Sequence, residues 1–433
     1  MKNWYALYSN ILHLHFSEGF YRLPESAKNA VSPAQPLRRF LKVLGYSLVR
    51  LIGNLFKNVE HSEQLQGKVW LYVVSQNNVD SLQFIKHGLP NAVFVAGQSK
   101  EIGKYNKTVQ RISLRRKLFY YYKFLPLYFQ FLKRKKQSTL RFYDILFDAV
   151  GFYEVYLQKL RKYKPAAIVF ANDHNADARS MLLAAKAAGI KTIYIQHASV
   201  SPIFPPLQFD LNLLEGQDAL QKYKICGPIE GKVELIGMPK ADAFVPFRNR
   251  NQQIQTIGIG CNLMDDLGEI GKLIRQLSSD FPSIHFILRP HPRDKRDFNA
   301  LSTIGTNISL SDSRTIVTFD YLRQVDVQIS GNSGIHLEAV LLNVWSIFYN
   351  MNPTEKLDDY YGFIAHGLVD APAGYEELKH LLQQHLHEKP NVYQRAKYYN
   401  ETVGSTYEGK SSELALKFLK DFVQVGRPAK ANL

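Results

Sequence analysis

The segment ILRPHPRD, Ile287 to Asp294, sets Arg289, His291 and Arg293 at alternate positions with Pro290 and Pro292 between them. Each proline fixes its own φ, so the cationic side chains are presented in a set arrangement. Guanidinium and imidazole groups held this way suit an anion or a nucleotide; a stiffened turn with surface arginines is the plain alternative. The second segment, DVQISGNSGIHLEA from Asp326 to Ala339, puts Ser330, Gly331, Asn332, Ser333 and Gly334 between an apolar run and a helical pattern. Free backbone N–H groups at such a helix start favour phosphate. Ser330 and Ser333 can add hydroxyl donors, and Glu338, one turn further on, can accept from sugar hydroxyls. An ordinary capped helix is the alternative.

Two further segments suit proton transfer. IYIQHASVSPIFPP, Ile193 to Pro206, ends an apolar run in Gln196 and His197. A histidine titrates near neutrality and is suited to act as general base on a hydroxyl; ordering the loop behind it is the other reading. FANDHNADAR, Phe170 to Arg179, ends a strand in Asn172, Asp173, His174 and Asn175. Asp173 is a second candidate base, and Asn172, His174 and Gln196 are candidate acceptor-binding groups. Capping by Asp173 or Asn175 is the alternative, and no matching ligand cluster joins Asp173 and His174 to suggest a metal.

All four segments must be held by strands. Apolar runs at 69–75, 92–96, 166–171, 191–196, 209–214 and 233–236 alternate with helical patterns at 140–162 and 176–188. The Asn/Gln-rich stretch Phe247–Gln255 has linker composition. Behind it a second series runs from 256 to 349, with strands at 256–260, 284–289, 307–310, 327–330 and 344–349. Strand–helix alternation predicts parallel sheets covered by helices. The expected fold is α/β, two facing Rossmann-like domains with N-terminal amphipathic helical elements. The expected domains are 1–247, carrying the acceptor side, and 248–433, carrying the nucleotide. In such sheets ligands bind beyond the carboxyl ends of the strands, where the four segments fall. Walker-type, GxSxG and HExxH motifs are missing, and Gly258 and Gly260 in IGIGCN do not complete GxGxxG.

The 433 residues carry a net charge of +16 with 45% hydrophobic residues. This is a globular composition, attractive to anionic partners. No nucleic-acid motif is present, so a membrane surface is the preferred large partner. Cys226 and Cys261 are too few for a disulfide framework, and a reducing compartment fits. No signal peptide or spanning segment is read. In residues 36–58, Leu37, Leu41, Leu44, Leu48, Leu51 and Leu55 line one helical face, with Arg38, Arg39, Lys42, Arg50 and Lys57 on the other. A second basic aromatic stretch runs from Arg115 to Gln137, where Pro126 should break or kink a helix. These stretches suit a bilayer interface, with the arginines expected to carry the attraction to anionic lipid. A core-facing helix with a solvated basic face is the alternative.

The order IQHAS, LIGMPKAD (Leu235 to Asp242), LRPHPRD, SGNSGIHLEA resembles bacterial transferases of the GT-B architecture. These are capsule polysaccharide transferases, including Kdo and sialic acid transferases, and CDP-glycerol glycerophosphotransferases. The resemblance implies a catalytic role for His197, nucleotide contacts for His291 and Pro292, and phosphate contacts for Ser330 and Ser333. GIHLEA also resembles nucleotide-sugar 2-epimerases, which implies a ribose contact for Glu338. The chain departs from the glycerophosphotransferases at Ala198-Ser199-Val200, where they carry Gly-Thr-Pro, and at Ser330–Ser333, where they carry Asp-Tyr-Ser-Ser. The epimerases' His-Arg-x-Glu-Asn is replaced by GCNLMDDLGE, which argues against epimerisation. The resemblance therefore implies a metal-independent glycosyltransferase of capsule or lipopolysaccharide-type polysaccharide biosynthesis. A CMP-, CDP- or UDP-linked donor, a glycan or lipid-linked acceptor and no separate cofactor go with it, as does a peripheral place on the cytoplasmic face of the cell membrane. The alternatives are a glycerophosphotransferase, a non-catalytic nucleotide-sugar-binding scaffold and an epimerase.

Overall fold

The computed structural model describes residues 4–56, 60–97, 100–352 and 359–424. The first compact unit contains residues 1–214, 219–235 and 414–433, and the second contains 215–218 and 236–413. The first holds β1 (Val69–Tyr72), β2 (Ala92–Gly97), β3 (Gln110–Ile112), β4 (Ala167–Phe170), β5 (Thr192–Ile195), β6 (Leu211–Leu214) and β7 (Lys232–Leu235) in the order β3-β2-β1-β4-β5-β6-β7. The second holds β8 (Thr256–Cys261), β9 (His285–Pro290), β10 (Ile308–Leu310), β11 (Val327–Ser330) and β12 (Trp345–Phe348) in the order β10-β9-β8-β11-β12. Every pairing is parallel. Both sheets are Rossmann-like, and most of their strands are apolar because helices cover both faces. Strand order reverses between β1 and β4 and again between β8 and β11, so each sheet opens a crevice at its carboxyl end there.

The division differs from the expected one at 247 and 248. Residues 236–247 belong to the second unit, as does the stretch Phe247–Gln255 that reads as a linker. The buried carboxylate of Asp326 holds that stretch. Its Oδ1 accepts from Asn249 Nδ2 and Asn251 Nδ2, both at 2.8 Å, and its Oδ2 accepts from the backbone N–H of Gln255 (2.9 Å) and Thr256 (3.0 Å). Polar residues that read as solvated chain are thus ligands of a buried charge. The helix Ser411–Gln424 is shared out along its length. Asp242 accepts from the N–H of Ser411 (2.9 Å) and Ser412 (2.7 Å) in the second unit, and residues from 414 onward pack with the first, where Lys191 Nζ donates to Phe422 O (2.8 Å).

The expected long helix over 140–162 is two helices, Lys136–Ala149 and Phe152–Tyr163, separated at Gly151, whose φ is +88°. A Cβ there would lie 3.0 Å from the Lys117 Cα. Pro126 does not break its helix, because it occupies the first turn of Phe124–Arg134, where proline costs no hydrogen bond.

The helix Pro36–Leu55 forms as its spacing predicts, but with its faces reversed from an ordinary core-facing helix. Arg39 and Arg50 are 6% and 7% exposed, whereas Leu48 and Leu55 are 56% and 78% exposed. Arg39 donates to the carbonyls of Pro33 and Ala34 (3.1 Å each), and Lys42 pairs with Asp144 (2.8 Å). These cations are therefore structural, which removes Arg39, Arg50 and Lys42 as free lipid contacts. Arg38 is exposed, and Lys57 lies outside the described residues. No helix among the described residues is long and apolar enough to cross a membrane.

Replacing Asp326 with Ala would strand buried donors of the 249–256 segment. The expected loss is about 2–4 kcal/mol, read as a lowered urea midpoint by tryptophan fluorescence; an unchanged midpoint would mean that the segment is held by other contacts.

Candidate functional site

Beyond the carboxyl ends of β8 and β9 lies a cleft of about 410 Å³, lined by Arg289, His291, Pro292, Arg314, Ser333 and Glu338 among others. The Pro-flanked turn and the start of the helix Ile335–Leu341 therefore meet at one site. Arg289 is held from below. Its Nη1 donates to Ser311 Oγ (3.1 Å), its Nη2 to the Ile316 carbonyl (2.8 Å), and its guanidinium lies 4.7 Å from the Tyr321 ring centroid. His291 Nδ1 accepts the Arg293 N–H at 3.1 Å. In the neutral ring the proton is then on Nε2, which becomes a donor. Burial and the neighbouring Arg293 lower the pKa of His291, which favours that neutral form. The cleft thus offers a fixed cation, a neutral donor and the Ser333 hydroxyl, a set suited to an anionic, polyhydroxylated ligand.

Ser330 is not part of it. Its buried hydroxyl donates to the Gly260 carbonyl (2.7 Å), closing the β8–β11 crevice from beneath. Asn332 is half-buried in the turn and Gly334 is exposed, and neither lines the cleft. Beneath the turn, the fully buried His336 places Nε2 2.9 Å from the Gly331 carbonyl and Nδ1 2.7 Å from Ser346 Oγ. A carbonyl can only accept, so Nε2 carries the proton and the ring pins the turn to β12. Gly331 is closely packed where it stands, since a Cβ would come 3.1 Å from Asp265 Oδ1 and make that side chain give way. Burial raises the Asp265 carboxyl to about 6.

Glu338 does line the cleft, and it is paired there. Lys240, from the LIGMPKAD segment, donates to its Oε1 at 2.6 Å. Glu215 is buried and interacts electrostatically with the same pair. Desolvation, with Glu338 and Asp218 adding to it against the pull of Lys240, raises the Glu215 carboxyl to about 7. Desolvation by itself would lower the Lys240 ammonium, but Glu338 and Glu215 together hold it above its ordinary value. A carboxyl that titrates near neutrality beside a cation is equipped to exchange a proton. Glu215, Lys240 and His336 were missed as site residues. Lys240 and His336 lie inside recognised segments, but nothing local marks Glu215, which follows an unremarkable strand.

In the first unit, His197 follows β5 with its Nε2 3.3 Å from Asn78 Nδ2. Asn78 is itself fixed, its Oδ1 accepting the Val74 N–H at 3.2 Å. His197 and the start of the helix Gln76–Gly88, which follows β1, thus meet at the carboxyl end of this sheet, across the intervening β4. Gln196 is buried and donates to the Ala198 carbonyl (3.1 Å), so it shapes the loop. Asp173 is buried with both oxygens engaged, by Tyr223 Oη (2.5 Å) and His174 Nδ1 (2.9 Å), an arrangement of a structural anchor. His174 also stacks on Phe204 at 4.3 Å. Asn172 Oδ1 accepts the Asn175 N–H (2.8 Å), and Asn175 caps the helix Ala176–Ala187 through the Asp177 N–H (2.9 Å). Among the described residues no group of three or more His, Cys, Asp or Glu side chains is placed to hold a metal ion.

A larger cavity of about 740 Å³ is lined by residues such as Arg248, Asn249 and Asn343. It lies by the amino ends of β11 and β12, the edge away from which parallel sheets bind ligands.

No known family model matches the chain, and no curated protein matches it. Solved structures with a similar fold include UDP-GlcNAc 2-epimerase from Neisseria meningitidis, which is 12% identical with a TM-score of 0.54 over 82% of this chain and 100% of that one. UDP-GlcNAc 2-epimerase from Methanocaldococcus jannaschii is 13% identical, with a TM-score of 0.52 over 82% and 99%. The calicheamicin glycosyltransferase is 11% identical, with a TM-score of 0.53 over 84% and 100%. The likeness is one of fold. The chain has the pair of Rossmann-like domains of the GT-B architecture, which glycosyltransferases and nucleotide-sugar 2-epimerases share.

Burial lowers the pKa of His336 from 6.5 to about 4. The folded protein then takes up this proton less readily than the unfolded chain, so stability is full above about pH 6.5 and falls as pH drops toward 4. Urea unfolding at about pH 7.5 and about pH 5 is expected to show His336→Gln escaping about 2 kcal/mol of the acid destabilisation of the wild type. Equal losses in both proteins would show that His336 protonates freely in the fold.

Proposed function

We propose that this protein is a glycosyltransferase that moves a sugar from a CMP-, CDP- or UDP-linked donor to a glycan or lipid-linked acceptor. The observation that carries the reading is the single cleft in which Arg289, His291, Ser333 and Glu338 converge at the carboxyl edge of the second sheet. The guanidinium and the Nε2–H of His291 suit the donor's phosphates, and the Glu338 carboxylate suits its ribose hydroxyls. Cationic and N–H donors there would stabilise charge growing on the leaving phosphate. His197, in the first unit, is the proposed base on the acceptor hydroxyl. Asp173 recedes as a base because both of its oxygens are engaged. Glu215 joins the reading as a proton-exchanging group beside Lys240 and Glu338.

The motif resemblance extends the proposal to assembly of a capsule or lipopolysaccharide-type polysaccharide by a peripheral protein at the inner face of the cell membrane. The named fold neighbours that handle UDP-GlcNAc support a nucleotide-sugar ligand and keep epimerisation as the second reading.

Thermal shift with CMP, CDP, UDP, GDP and dTDP identifies the nucleotide, because a ligand that binds only the native state raises Tm. His291→Ala is expected to weaken that shift. His197→Ala is expected to leave it nearly intact and to lower transfer by about a hundred- to ten-thousand-fold. Full transfer by His197→Ala would remove the base assignment. Turnover of UDP-GlcNAc with no acceptor present would favour the epimerase reading, and nucleotide binding without turnover of any kind would favour a scaffold.

A further inference from the structure

The reversed amphipathic helix has a neighbour built the same way. In the 3-10 segment Arg115–Lys123 and the helix Phe124–Arg134 that continues it, Lys117 and Lys123 are buried, whereas Phe119, Tyr122, Leu125 and Phe129 are each more than 60% exposed. Lys117 Nζ lies 3.2 Å from the Phe152 ring centroid and pairs with Asp148, and Lys123 pairs with Glu154 at 2.5 Å. The helix Pro36–Leu55 packs against this segment, with Asn54 Nδ2 donating to the Arg115 carbonyl (2.9 Å). Two adjacent segments of the first unit therefore bury Arg39, Arg50, Lys117 and Lys123 while turning a row of leucines and aromatic rings outward. Clustered, highly exposed apolar side chains of this kind mark an interaction site.

Charge decides what covers it. No Asp or Glu occurs between residues 31 and 56 or between 111 and 143. Arg38, Arg116, Lys133, Arg134 and Lys136 in the same stretches are exposed. A protein partner would be expected to meet some acidic counterpart here. An acid-free, cation-bordered apolar surface with exposed Phe and Tyr side chains instead matches a bilayer interface, where rings and leucines enter the acyl boundary and long cations reach back to headgroups.

We propose that the outward faces of Pro36–Leu55 and of Arg115–Arg134 form a wedge that inserts in-plane into an anionic lipid bilayer. Apolar insertion supplies most of the binding, and the bordering cations supply preference for anionic lipid. The wedge rests on the peripheral membrane placement in the proposed function and not on the donor cleft, whose failure the nucleotide thermal shift would show separately.

The test is co-sedimentation of the full chain with vesicles of phosphatidylcholine alone or mixed with phosphatidylglycerol. Wild type is expected to bind both, more tightly with phosphatidylglycerol, and high salt is expected to remove only that preference. The triple variant L44E/L48E/L51E is expected to bind at least ten-fold less to both vesicles with its circular dichroism and Tm unchanged. Leu48→Trp, which keeps the face apolar, decides the matter should the triple variant fail to fold: its emission is expected to shift to the blue when vesicles are added. The proposal is overturned by wild-type protein that ignores both vesicles, by unchanged binding of the folded triple variant or by no emission shift from Leu48→Trp. Binding confined to phosphatidylglycerol and abolished by salt would also overturn it, because the contact would then be electrostatic. So would a dimer that the triple variant dissociates in the absence of any vesicle binding, since a second copy would then cover the face.

Discussion

A side chain on Gly258 or Gly260 would leave no room for the polar layer on which the cleft of the second unit stands. At Gly258 a Cβ would collide with Tyr321 Oη, and at Gly260 it would come 2.7 Å from Gln328 Nε2. The space the glycines leave is filled by an ordered chain of hydrogen bonds. Tyr321 donates to Gln328 Oε1 (2.9 Å), Gln328 Nε2 donates to the Ile329 carbonyl (2.9 Å), and Ser330 donates to the Gly260 carbonyl (2.7 Å). All of these groups are buried, and a buried polar group left unsatisfied would cost roughly 1–3 kcal/mol. Arg289 rests on the Tyr321 ring, so the cation at the floor of the cleft depends on the glycines of the adjacent strand β8. The pair that fails as a dinucleotide fingerprint serves instead as the spacing that β8 and β11 need.

The same logic runs through the turn at the mouth of the cleft. His336 holds Gly331 from below, Asp265 crowds position 331, and Glu338 is oriented by Lys240. In the first unit, Asp173, Asn172 and Gln196 shape loops in the same way, leaving His197 beside Asn78 as the group suited to proton transfer.

The first unit also inverts the usual relation between charge and solvent. Full burial of a Leu side chain is worth roughly 1.5–3 kcal/mol, so the exposed row from Leu37 to Leu55 forgoes a large stabilisation in water. The fold tolerates this because the inward cations are satisfied, Lys42 by Asp144 and Lys123 by Glu154. Burial lowers the Lys117 ammonium to about 8, opposed by Asp148, so even the most enclosed of these groups keeps its charge at neutral pH.

The sequence by itself determined the two parallel sheets, because runs such as VWLYVVS and FILR are too short for buried helices and alternate with helical periodicity. It also placed Arg289 and His291 at the end of one strand, and Ser333 and Glu338 in the turn and helix that follow another, since local order along the chain carries that information. It did not show which side chains face a ligand and which face the core. Ser330 and Ser333 are both serines in one turn, and only the approach of β8 turns the first hydroxyl inward. The polar stretch at 247–255 reads as solvated chain until Asp326 supplies a buried charge for it to bind. The helical spacing from Leu37 to Leu55 defines two faces but not which one meets the protein; Asp144, remote in sequence, decided that by drawing Lys42 inward.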